Sequence, residues 1–447
     1  MTHYSNKVLA LASLAGAMLL GLTACTTASQ PPVTPSVSTK NPADYSGDIT
    51  LWHFFDGSEA NVIQTAVDGF RKIYPNIKVT VMPGQDDDQM RADIAAGQAA
   101  DVAITYSSDQ IGHLCSSGDF IDLAPYISHD NVDMGQIPSV VQSYTKYDGV
   151  QCALPMLADV TGLFYNKDLF DAAGIAGPPQ TLAELAADAK ALTTHNRDGS
   201  IKVLGFMPFM EYYENNPANL AVMAGAQWLT ADGSASAVSS DPAWKTLLNW
   251  QKKLIKDLGG NKALSKWAAK SGDEFSDQND FETGYVAMQI DGEWRIPYIN
   301  DEAPDLNYGT APLPASSPDK YGAGRVEGNI IGIPRGSANP DLAWQLVKYL
   351  AMDVDAQVQM GNGLMSVPTI MSAVNSPDLM TSSQYQTFLD AFCNPDSVTE
   401  PRTAAGTDYV GVMAAFMSDW ESGDVANLAK GLANVDEQID SMLGGDG

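Results

Sequence analysis

Hydrophobic and polar positions follow two different periods in the first quarter of the chain. Residues 48–54 form an extended apolar pattern, and across 59–74 apolar residues recur at intervals of four and three, as one buried helix face requires. Residues 77–81 alternate with a period of two, 90–97 favour a second helix, and 101–106 favour a third strand. This order of strands and helices predicts a parallel α/β sheet with helices on its faces.

The alternation returns in the last third of the chain. Residues 329–333 are strand-like and 341–352 are strongly helical, whereas 298–314 carry few helix signals. The intervening stretch, 180–295, is rich in helical patterns. The folded part has about 400 residues, which is too many for one hydrophobic core. We therefore expect two lobes of α/β type.

The first 45 residues have the features of an export and anchoring segment. Lys7 precedes an apolar run, 8–22, that suits a signal peptide and is short for a membrane span. The run ends in Leu22-Thr23-Ala24-Cys25, which resembles a bacterial lipobox. We expect a signal peptide at 1–24, a lipid on Cys25 as the one membrane attachment, and a flexible tether over 25–45. These features predict a protein on the outer face of the cytoplasmic membrane.

The net charge narrows the range of partners. The chain has 54 acidic and 25 basic residues, a net charge of −29, with 45% hydrophobic and 18% charged residues. Such a composition is globular and lacks the basic surface that nucleic acid requires, so we expect no nucleic-acid partner. The acidity suits either a solvated, self-repelling surface or an acidic cleft for a cationic ligand.

Three cysteines remain if Cys25 carries the lipid. Outside the cytoplasm a disulfide persists, and we expect Cys115 to pair with Cys152, which leaves Cys393 as a buried thiol. The cysteines do not have the spacing of a metal site. We expect neither a metal nor a cofactor.

Polar and aromatic residues follow two of the predicted strands. In an open parallel sheet, ligands bind beyond the carboxyl ends of the strands. A mixture of rings and short polar side chains suits a ligand with apolar faces and hydroxyl edges. His53 serves equally well as a structural histidine. The candidates at these two strand ends are His53, Phe55, Asp56, Tyr106, Ser107 and Asp109.

Several segments carry a family likeness. The most specific are GLFYNKDLF at 162–170 and AGIAGPPQTLAEL at 173–185, with ALP before them at 153–155. Shorter matches are YPNIKV at 74–79, GQAADV at 97–102, MQIDGEW at 288–294 and EGN at 327–329. Together they resemble the family 1 extracellular solute-binding proteins, the receptors of sugar-importing ATP-binding-cassette (ABC) transporters, which include maltose-binding protein. The likeness covers nearly all of 48–447.

This resemblance implies a two-lobe periplasmic-binding-protein fold of type II (cluster D-like), with a hinge of two or three crossover strands. The N-lobe would comprise 46–157 and 328–375, and the C-lobe 160–325 and 380–447. The ligand, an oligosaccharide, would lie in the cleft and be delivered to ABC-transporter permease subunits after hinge closure. We expect the receptor to be a monomer.

The resemblance also suggests where the sugar is contacted. A sugar ring needs a stacking surface and partners for each buried hydroxyl. Trp294 is the expected platform, with a core tryptophan as the alternative. Asp159, just after the first crossover, is the expected sugar-binding carboxylate, with a hinge-capping role as the alternative.

Further candidates come from the C-lobe and the second crossover. Glu211, Tyr212 and Tyr213 follow a predicted strand, 204–209, and are expected to point into the cleft; a surface turn is the alternative. The second-crossover candidates are Glu327 and Asn329, and weaker ones are Arg402 and Tyr409.

Two other functions remain open. A hydrolase would leave a recognisable motif in most classes, yet the chain has no G-x-S-x-G, H-E-x-x-H or phosphate-binding loop. A pair of glycosidase carboxylates leaves no such motif, but the likeness leaves no separate catalytic domain, so we expect no enzyme. A receptor of the same fold for a polyamine would use carboxylates and aromatic rings, and its binding would weaken with salt.

Overall fold

The computed structural model describes residues 41–444, and these lie in one compact unit. The predicted signal peptide, Cys25 and most of the predicted tether lie outside the described residues. Among the described helices, none has the length and apolar character that crossing a membrane requires.

Ten strands are present in the described part of the chain. In chain order they are β1 (Gly47–His53), β2 (Ile77–Met82), β3 (Val102–Ile104), β4 (Ala153–Asn166), β5 (Thr194–His195), β6 (Ile201–Phe206), β7 (Val286–Gly292), β8 (Tyr308–Ala311), β9 (Val326–Gly332) and β10 (Val367–Pro368).

Seventeen α-helices accompany these strands in residues 41–444. They are α1 (Gly57–Ile73), α2 (Asp87–Ala95), α3 (Ile111–Ser116), α4 (Ala124–Asp130), α5 (Ser139–Ser143), α6 (Lys167–Ala173), α7 (Leu182–Leu192), α8 (Pro217–Ala224), α9 (Pro242–Asp257), α10 (Asn261–Ala268), α11 (Arg295–Glu302), α12 (Pro340–Met352), α13 (Val354–Leu364), α14 (Met371–Val374), α15 (Ser383–Phe392), α16 (Tyr409–Ser422) and α17 (Leu428–Gly444). Short 3₁₀ helices occupy Pro42–Asp44, Ser108–Gln110, Met134–Gln136 and Pro318–Lys320.

The strands are hydrogen-bonded in the order β2-β1-β3-β9-β4-β7-β6-β5, and β8 and β10 also pair with β4. As predicted, β1 is parallel to β2 and β3. The sheet is nevertheless mixed and not wholly parallel, because β9 lies antiparallel between β3 and β4.

Strand β4 connects two groups of strands. Its first part, Ala153 to Val160, pairs with β9 and β10, and its second part, from Thr161 onwards, pairs with β7 and β8. The change of partners between Val160 and Thr161 falls where the first crossover is predicted. The chain passes between the groups again before β9 and after β10, since α15 packs against β8 and β4.

Close backbone approach and capping fix the ends of this crossover. Gly328 has φ of 152°, and a Cβ there would collide with the carbonyl oxygen of Leu157 in β4. At the C-terminal end of β4, the Asn166 side chain accepts a hydrogen bond from the Leu169 N–H (3.1 Å) and starts α6. The strand is therefore fixed by close packing at Leu157 and by helix capping at its last residue.

Two sequence predictions about this part of the fold are corrected. Residues 298–302 are helical in α11, although few helix signals were read there. Pro297 lies in the first turn of α11, where a missing N–H costs no hydrogen bond. Cys393 is exposed and not buried, because it lies at the C-terminal end of α15. Cys115 and Cys152 form a disulfide with their Cα atoms 5.4 Å apart, as expected.

Candidate ligand-binding site

The crossover in β4 is held by a buried carboxylate. The backbone N–H of Val160 donates to Glu293 Oε2 (2.9 Å) at the residue where β4 changes partners. Glu293 follows β7, whose last residue, Gly292, pairs with Thr161. The Thr161 hydroxyl donates to the Asn219 side chain (2.6 Å), which ties the same point to α8.

Glu293 is fully buried, and only one of its carboxylate oxygens has a partner. Oε1 forms no hydrogen bond with the described residues. Burial raises the pKa of Glu293 well above its usual value, and the charges of Asp159 and Glu327 raise it further. The carboxyl therefore sits among like charges at the centre of the crossover.

Asp159 lies opposite Glu327 across β4 and β9. Burial, together with the Glu327 charge, raises the pKa of Asp159 to about 8, although Arg325 and a hydrogen bond from Ser366 oppose the shift. The side chain of Asp159 is half-buried. Two of the predicted site residues thus face each other at the crossover.

Two further carboxylates that the sequence did not single out lie near this pair. Burial raises the pKa of Glu214 to about 8 and that of Glu274 to about 7, and the Asp291 charge acts on both. Glu327 also acts on Glu214. Glu214 follows the predicted Glu211–Tyr213 segment directly, but Glu274 belongs to a loop with no strand or helix pattern.

Arg295 forms ion pairs with three carboxylates. Its guanidinium, which is fully buried, bonds to Asp291 (2.7 Å) and reaches Glu274 and Glu282 at 3.4 Å each. Burial opposes the charge, yet these carboxylates raise the pKa of Arg295 above its usual value. One guanidinium group thus forms ion pairs with three carboxylates.

A second buried arginine lies at the start of β9. Arg325 bonds to Glu327 and to Glu400 (2.8 Å). Nearby, Arg402 bonds to Asp109 (2.9 Å), and although burial acts in the other direction, its charge and that of Arg325 lower the pKa of Asp109. The Asp109, Glu327 and Glu400 carboxylates lie within 4.8 Å of one another, but arginines already neutralise them, so no metal site is assigned.

Trp294 directly precedes α11. Its indole lies against Gly292, where any Cβ would collide with the ring. The buried Nε1 has no hydrogen-bond partner among the described residues, and the side chain is half-buried. Trp294 therefore adjoins the crossover with a free donor.

Aromatic rings project from both strand groups beside the carboxylates. Phe54, after β1, packs edge-on against Tyr106 (ring centroids 5.1 Å apart), and the Tyr106 side chain is 68% exposed. Desolvation of its hydroxyl raises the pKa of Tyr106 to about 12, and the charges of Asp159 and Glu214 add to the shift. Tyr106 is therefore a mostly exposed ring on whose hydroxyl the charges of carboxylates from both strand groups act.

Phe275 and Tyr298 form the opposing pair. Their ring centroids are 5.5 Å apart, Arg295 lies about 5 Å from each ring, and Phe275 is 57% exposed. Besides desolvation, the charges of Glu59 and Asp56 at the start of α1 raise the pKa of Tyr298. The charges at the start of α1 therefore act on Tyr298 in α11. The sequence did not single out Phe275 or Tyr298.

The remaining candidates near β1 differ in how deeply they are buried. His53 is fully buried and lacks a well-formed hydrogen bond at either ring nitrogen; burial lowers its pKa to about 4. Phe55 is also buried, and its ring lies tilted against that of Phe54 with ring centroids 3.9 Å apart. Asp56 is exposed and precedes α1. A ligand in the cleft would reach Asp56 but not His53.

Tyr212 and Tyr213 point their hydroxyls away from the crossover carboxylates. Tyr212 donates to Asp280 (2.9 Å) and Tyr213 donates to the Gly272 carbonyl (3.1 Å), and the two rings stack 4.3 Å apart. Glu211 is exposed, with φ of 60°. This differs from the expectation that the tyrosines point into the cleft, because the 272–280 loop takes up both hydroxyls.

The other candidates mainly support the backbone. The Asn329 side chain donates to the Tyr106 carbonyl (2.6 Å), and Ser107 accepts a hydrogen bond from the Asp109 N–H (3.1 Å). Tyr409 is buried, and its hydroxyl donates to the Pro401 carbonyl (2.6 Å). The first two contacts position the loop that carries Tyr106.

The family model for "Bacterial extracellular solute-binding protein" matches residues 56–357, which is more than half of the chain. The chain belongs to this family. The curated relatives include the maltotriose-binding protein of Pyrococcus abyssi (strain GE5 / Orsay), 22% identical over 75% of this chain and 69% of the relative. They also include the galactooligosaccharide-binding protein of Bacillus subtilis (strain 168), 25% identical over 75% of this chain and 76% of the relative.

A solved structure supports the fold of this solute-binding protein. The structure of CpMnBP1 with mannotriose bound has a TM-score of 0.76 to this chain at 24% identity, and the match covers 88% of this chain and 99% of CpMnBP1. The predicted two-lobe periplasmic-binding-protein fold is thereby confirmed. The family resemblance noted in the sequence is confirmed as well.

Proposed function

We propose that this solute-binding protein is a lipid-anchored extracellular receptor that binds an oligosaccharide beside the β4 crossover and delivers it to ABC-transporter permeases. Relatives named for maltotriose and galactooligosaccharide support an oligosaccharide ligand. In this proposal the lobes are 46–157 with 328–375 and 160–325 with 380–447, the anchor is the lipid on Cys25, and the receptor is a monomer that catalyses no reaction.

The observation that carries the proposal is the set of groups around the crossover. Two exposed rings belong to this set, Tyr106 after β3 and Phe275 beside Glu274. The set also contains carboxylates without an arginine partner, and one of these, Asp159, acts on Tyr106 electrostatically. Rings stack on the C–H faces of sugars, and carboxylates accept hydrogen bonds from the hydroxyl rim.

Equilibrium binding to the purified full-length protein tests this function. The panel holds neutral malto-, manno- and galacto-oligosaccharides of two to four units, with spermidine and putrescine as non-sugar probes. We expect one oligosaccharide class to saturate the intrinsic tryptophan fluorescence signal. Trp294→Ala should weaken that binding about 30-fold, which corresponds to loss of a central aromatic contact of about 2 kcal/mol.

Two controls make the result specific. Met442→Ala shortens a side chain that is 40% exposed on α17 and should leave affinity unchanged. Chromatography of the recovered ligand should return it intact, since a hydrolase would release shorter products. If no oligosaccharide binds and only the polyamines do, the sugar proposal is wrong.

A further inference from the structure

One buried glutamine contacts three segments of the chain that meet beside the β4 crossover. Gln357 lies in α13 and is fully buried. Its side-chain amide donates to the carbonyl of Met156 in β4 (2.5 Å) and to that of Leu350 in α12 (2.8 Å). Its side-chain oxygen accepts a hydrogen bond from the Thr369 N–H (2.8 Å). The amide group therefore uses both of its N–H groups and its oxygen on backbone atoms.

Met156 needs such a partner because it lies in a bulge. The pairing of β4 with β9 shifts its register between Pro155 and Leu157, so that Met156 is an extra residue in β4. Met156 is fully buried, and a buried carbonyl without a hydrogen bond is costly. The Gln357 amide donates to this carbonyl, and the Thr369 hydroxyl lies 3.4 Å from it. Gln357 therefore stabilises the irregular point of β4.

The same glutamine joins β4 to β10. Strand β10 pairs with β4 directly after the bulge, and Thr369 is the residue that follows β10. One turn along α13 from Gln357, Gly361 lies so close to β10 that a Cβ there would be 2.9 Å from the Pro368 side chain. Helix α13 therefore holds two strands that adjoin passages of the chain between the strand groups.

A short part of β4 lies between this anchor and the one described at the crossover. Gln357 fixes the backbone at Met156, and Glu293 fixes it at Val160, where it accepts the backbone hydrogen bond (2.9 Å). Between them, the backbone of residues 157–159 pairs with β9 and β10, and no side chain of the described residues forms a hydrogen bond to it. A hinge consists of a few residues between rigid parts, and 157–159 fit that description.

We propose that Gln357 is a positioning residue for ligand binding, which fixes β4 at Met156 so that the bending of lobe closure is confined to residues 157–159. Gln357 acts through the strand and does not contact the ligand. Asp159, a proposed ligand contact, is the last residue of this segment, so ligand contact and bending occur at the same place. The inference rests on the proposed function, since closure serves a receptor that captures a ligand.

Distances between the two strand groups test this role. Spin labels are attached at Lys72→Cys in α1 and Asn249→Cys in α9, both exposed positions, and their separation is measured by pulsed electron paramagnetic resonance. The background carries Cys25→Ser and Cys393→Ser, so that only the two introduced thiols react.

Gln357→Met keeps the length of the side chain and removes its amide. Without that anchor the bending is no longer confined, and the lobes of the ligand-free protein should sample more orientations. We expect the distribution of distances to become about twofold wider than in the parent protein. Because a smaller fraction of molecules then has the binding-competent arrangement, the oligosaccharide identified by equilibrium binding should bind about 10-fold more weakly.

Gln345→Met is the matched control. Gln345 is a buried glutamine in the neighbouring helix α12, and it bonds to the Tyr74 hydroxyl (3.1 Å) and the Asp341 carbonyl (3.4 Å), not to β4 or β10. This variant should keep the parent distances and affinity, even where it lowers the melting temperature.

A second variant decides if Gln357→Met does not fold. Thr369→Val removes the hydroxyl near Met156 and Gln357 but keeps the backbone N–H that Gln357 accepts. It should change the distances and the affinity in the same direction as Gln357→Met, by a smaller factor. Thermal unfolding verifies that each variant is folded.

The outcomes separate this inference from the proposed function. Parent-like distances or parent-like affinity in the folded Gln357 and Thr369 variants overturn the inference and leave the receptor function standing. Equal broadening in Gln345→Met also overturns it, because the effect would then follow from a general loss of stability. If no oligosaccharide binds to the parent protein, the proposed function is wrong, and the ligand-free distances still decide whether Gln357 positions the hinge.

Discussion

Two sets of acidic side chains adjoin the β4 crossover, and they differ in what neutralises them. Asp291, Glu274 and Glu282 surround Arg295, and each forms an ion pair with it. Asp159 and Glu214, by contrast, have no ion pair in the described chain, and burial raises the pKa of each to about 8. The first set holds the fold together, and the second is costly to the free protein and available to a ligand.

The same contrast holds for the tyrosines. The hydroxyls of Tyr212 and Tyr213 bond to the 272–280 loop, whereas Tyr106 is 68% exposed and its hydroxyl has no hydrogen-bond partner in the described chain. Side chains that already form hydrogen bonds within the protein stabilise its fold. Side chains that are held in place without such partners are the better candidates for binding a ligand.

The largest expected effect on stability comes from the carboxylates that form ion pairs with Arg295. Arg295→Met removes the cation that three carboxylates share, and breaking a buried ion pair in this way costs about 3–5 kcal/mol of unfolding free energy. Chemical denaturation measures it. Lys253→Met breaks an exposed pair with Asp257 and should change stability little. Equal effects of the two variants would contradict the distinction between the sets.

The pH dependence of stability tests the carboxylates that lack an ion pair, Asp159 and Glu214. The folded protein holds a proton on Asp159 up to about pH 8, whereas the unfolded chain releases it near its ordinary pKa of 3.8. This group therefore makes stability fall as pH rises from about 4 to about 8. Asp159→Asn should raise the melting temperature at pH 8 by about 2–4 °C and change it less at pH 4.

The control for this experiment is Asp305→Asn, an exposed carboxylate that should leave the pH profile unchanged. Thermal unfolding followed by circular dichroism at pH 4, 6 and 8 provides the comparison. A profile of Asp159→Asn that is parallel to that of the parent protein would show that Asp159 is not held protonated.

The tyrosines give the next prediction. Tyr106→Ala should weaken oligosaccharide binding about 10-fold, as expected for loss of one stacking ring, with little change in stability because the ring is mostly exposed. Calorimetry and thermal unfolding measure the two effects. An unchanged affinity would place the ligand away from this ring.

Tyr212→Phe should show the reverse behaviour, with the smallest effect. Loss of the hydrogen bond to Asp280 should cost about 1 kcal/mol of unfolding free energy and leave affinity unchanged. A loss of affinity without a loss of stability would restore Tyr212 as a ligand contact.

Much of the fold was predictable because its signals are local. The apolar period marked α1 and α12, and alternation marked β2. The third predicted strand, 101–106, is shorter in the structure as β3, since its last residues turn into the loop that carries Tyr106. Helix α11 was missed because the sequence from Tyr298 onwards carries few helix signals, although Pro297 lies in the first turn of the helix, where a proline is tolerated.

The site was only partly predictable because strand pairing brings its charged residues together from distant parts of the chain. Asp159 and Glu327 were identified from the two crossovers, and they do face each other. Glu214 and Glu293 come within electrostatic range of this pair only because β4 pairs with β7 and the loops fold over that junction. The orientation of Tyr212 was not predictable for the same reason, because Asp280, which accepts its hydrogen bond, is 68 residues away in the chain.

Hydrogen–deuterium exchange with and without the bound oligosaccharide tests most directly whether the crossover is the binding site. The account predicts protection in three segments: 104–110, 157–166 and 288–298. Protection should be lost in Trp294→Ala at the same ligand concentration. Protection confined to other regions, such as the groove between α16 and α17, would contradict the account.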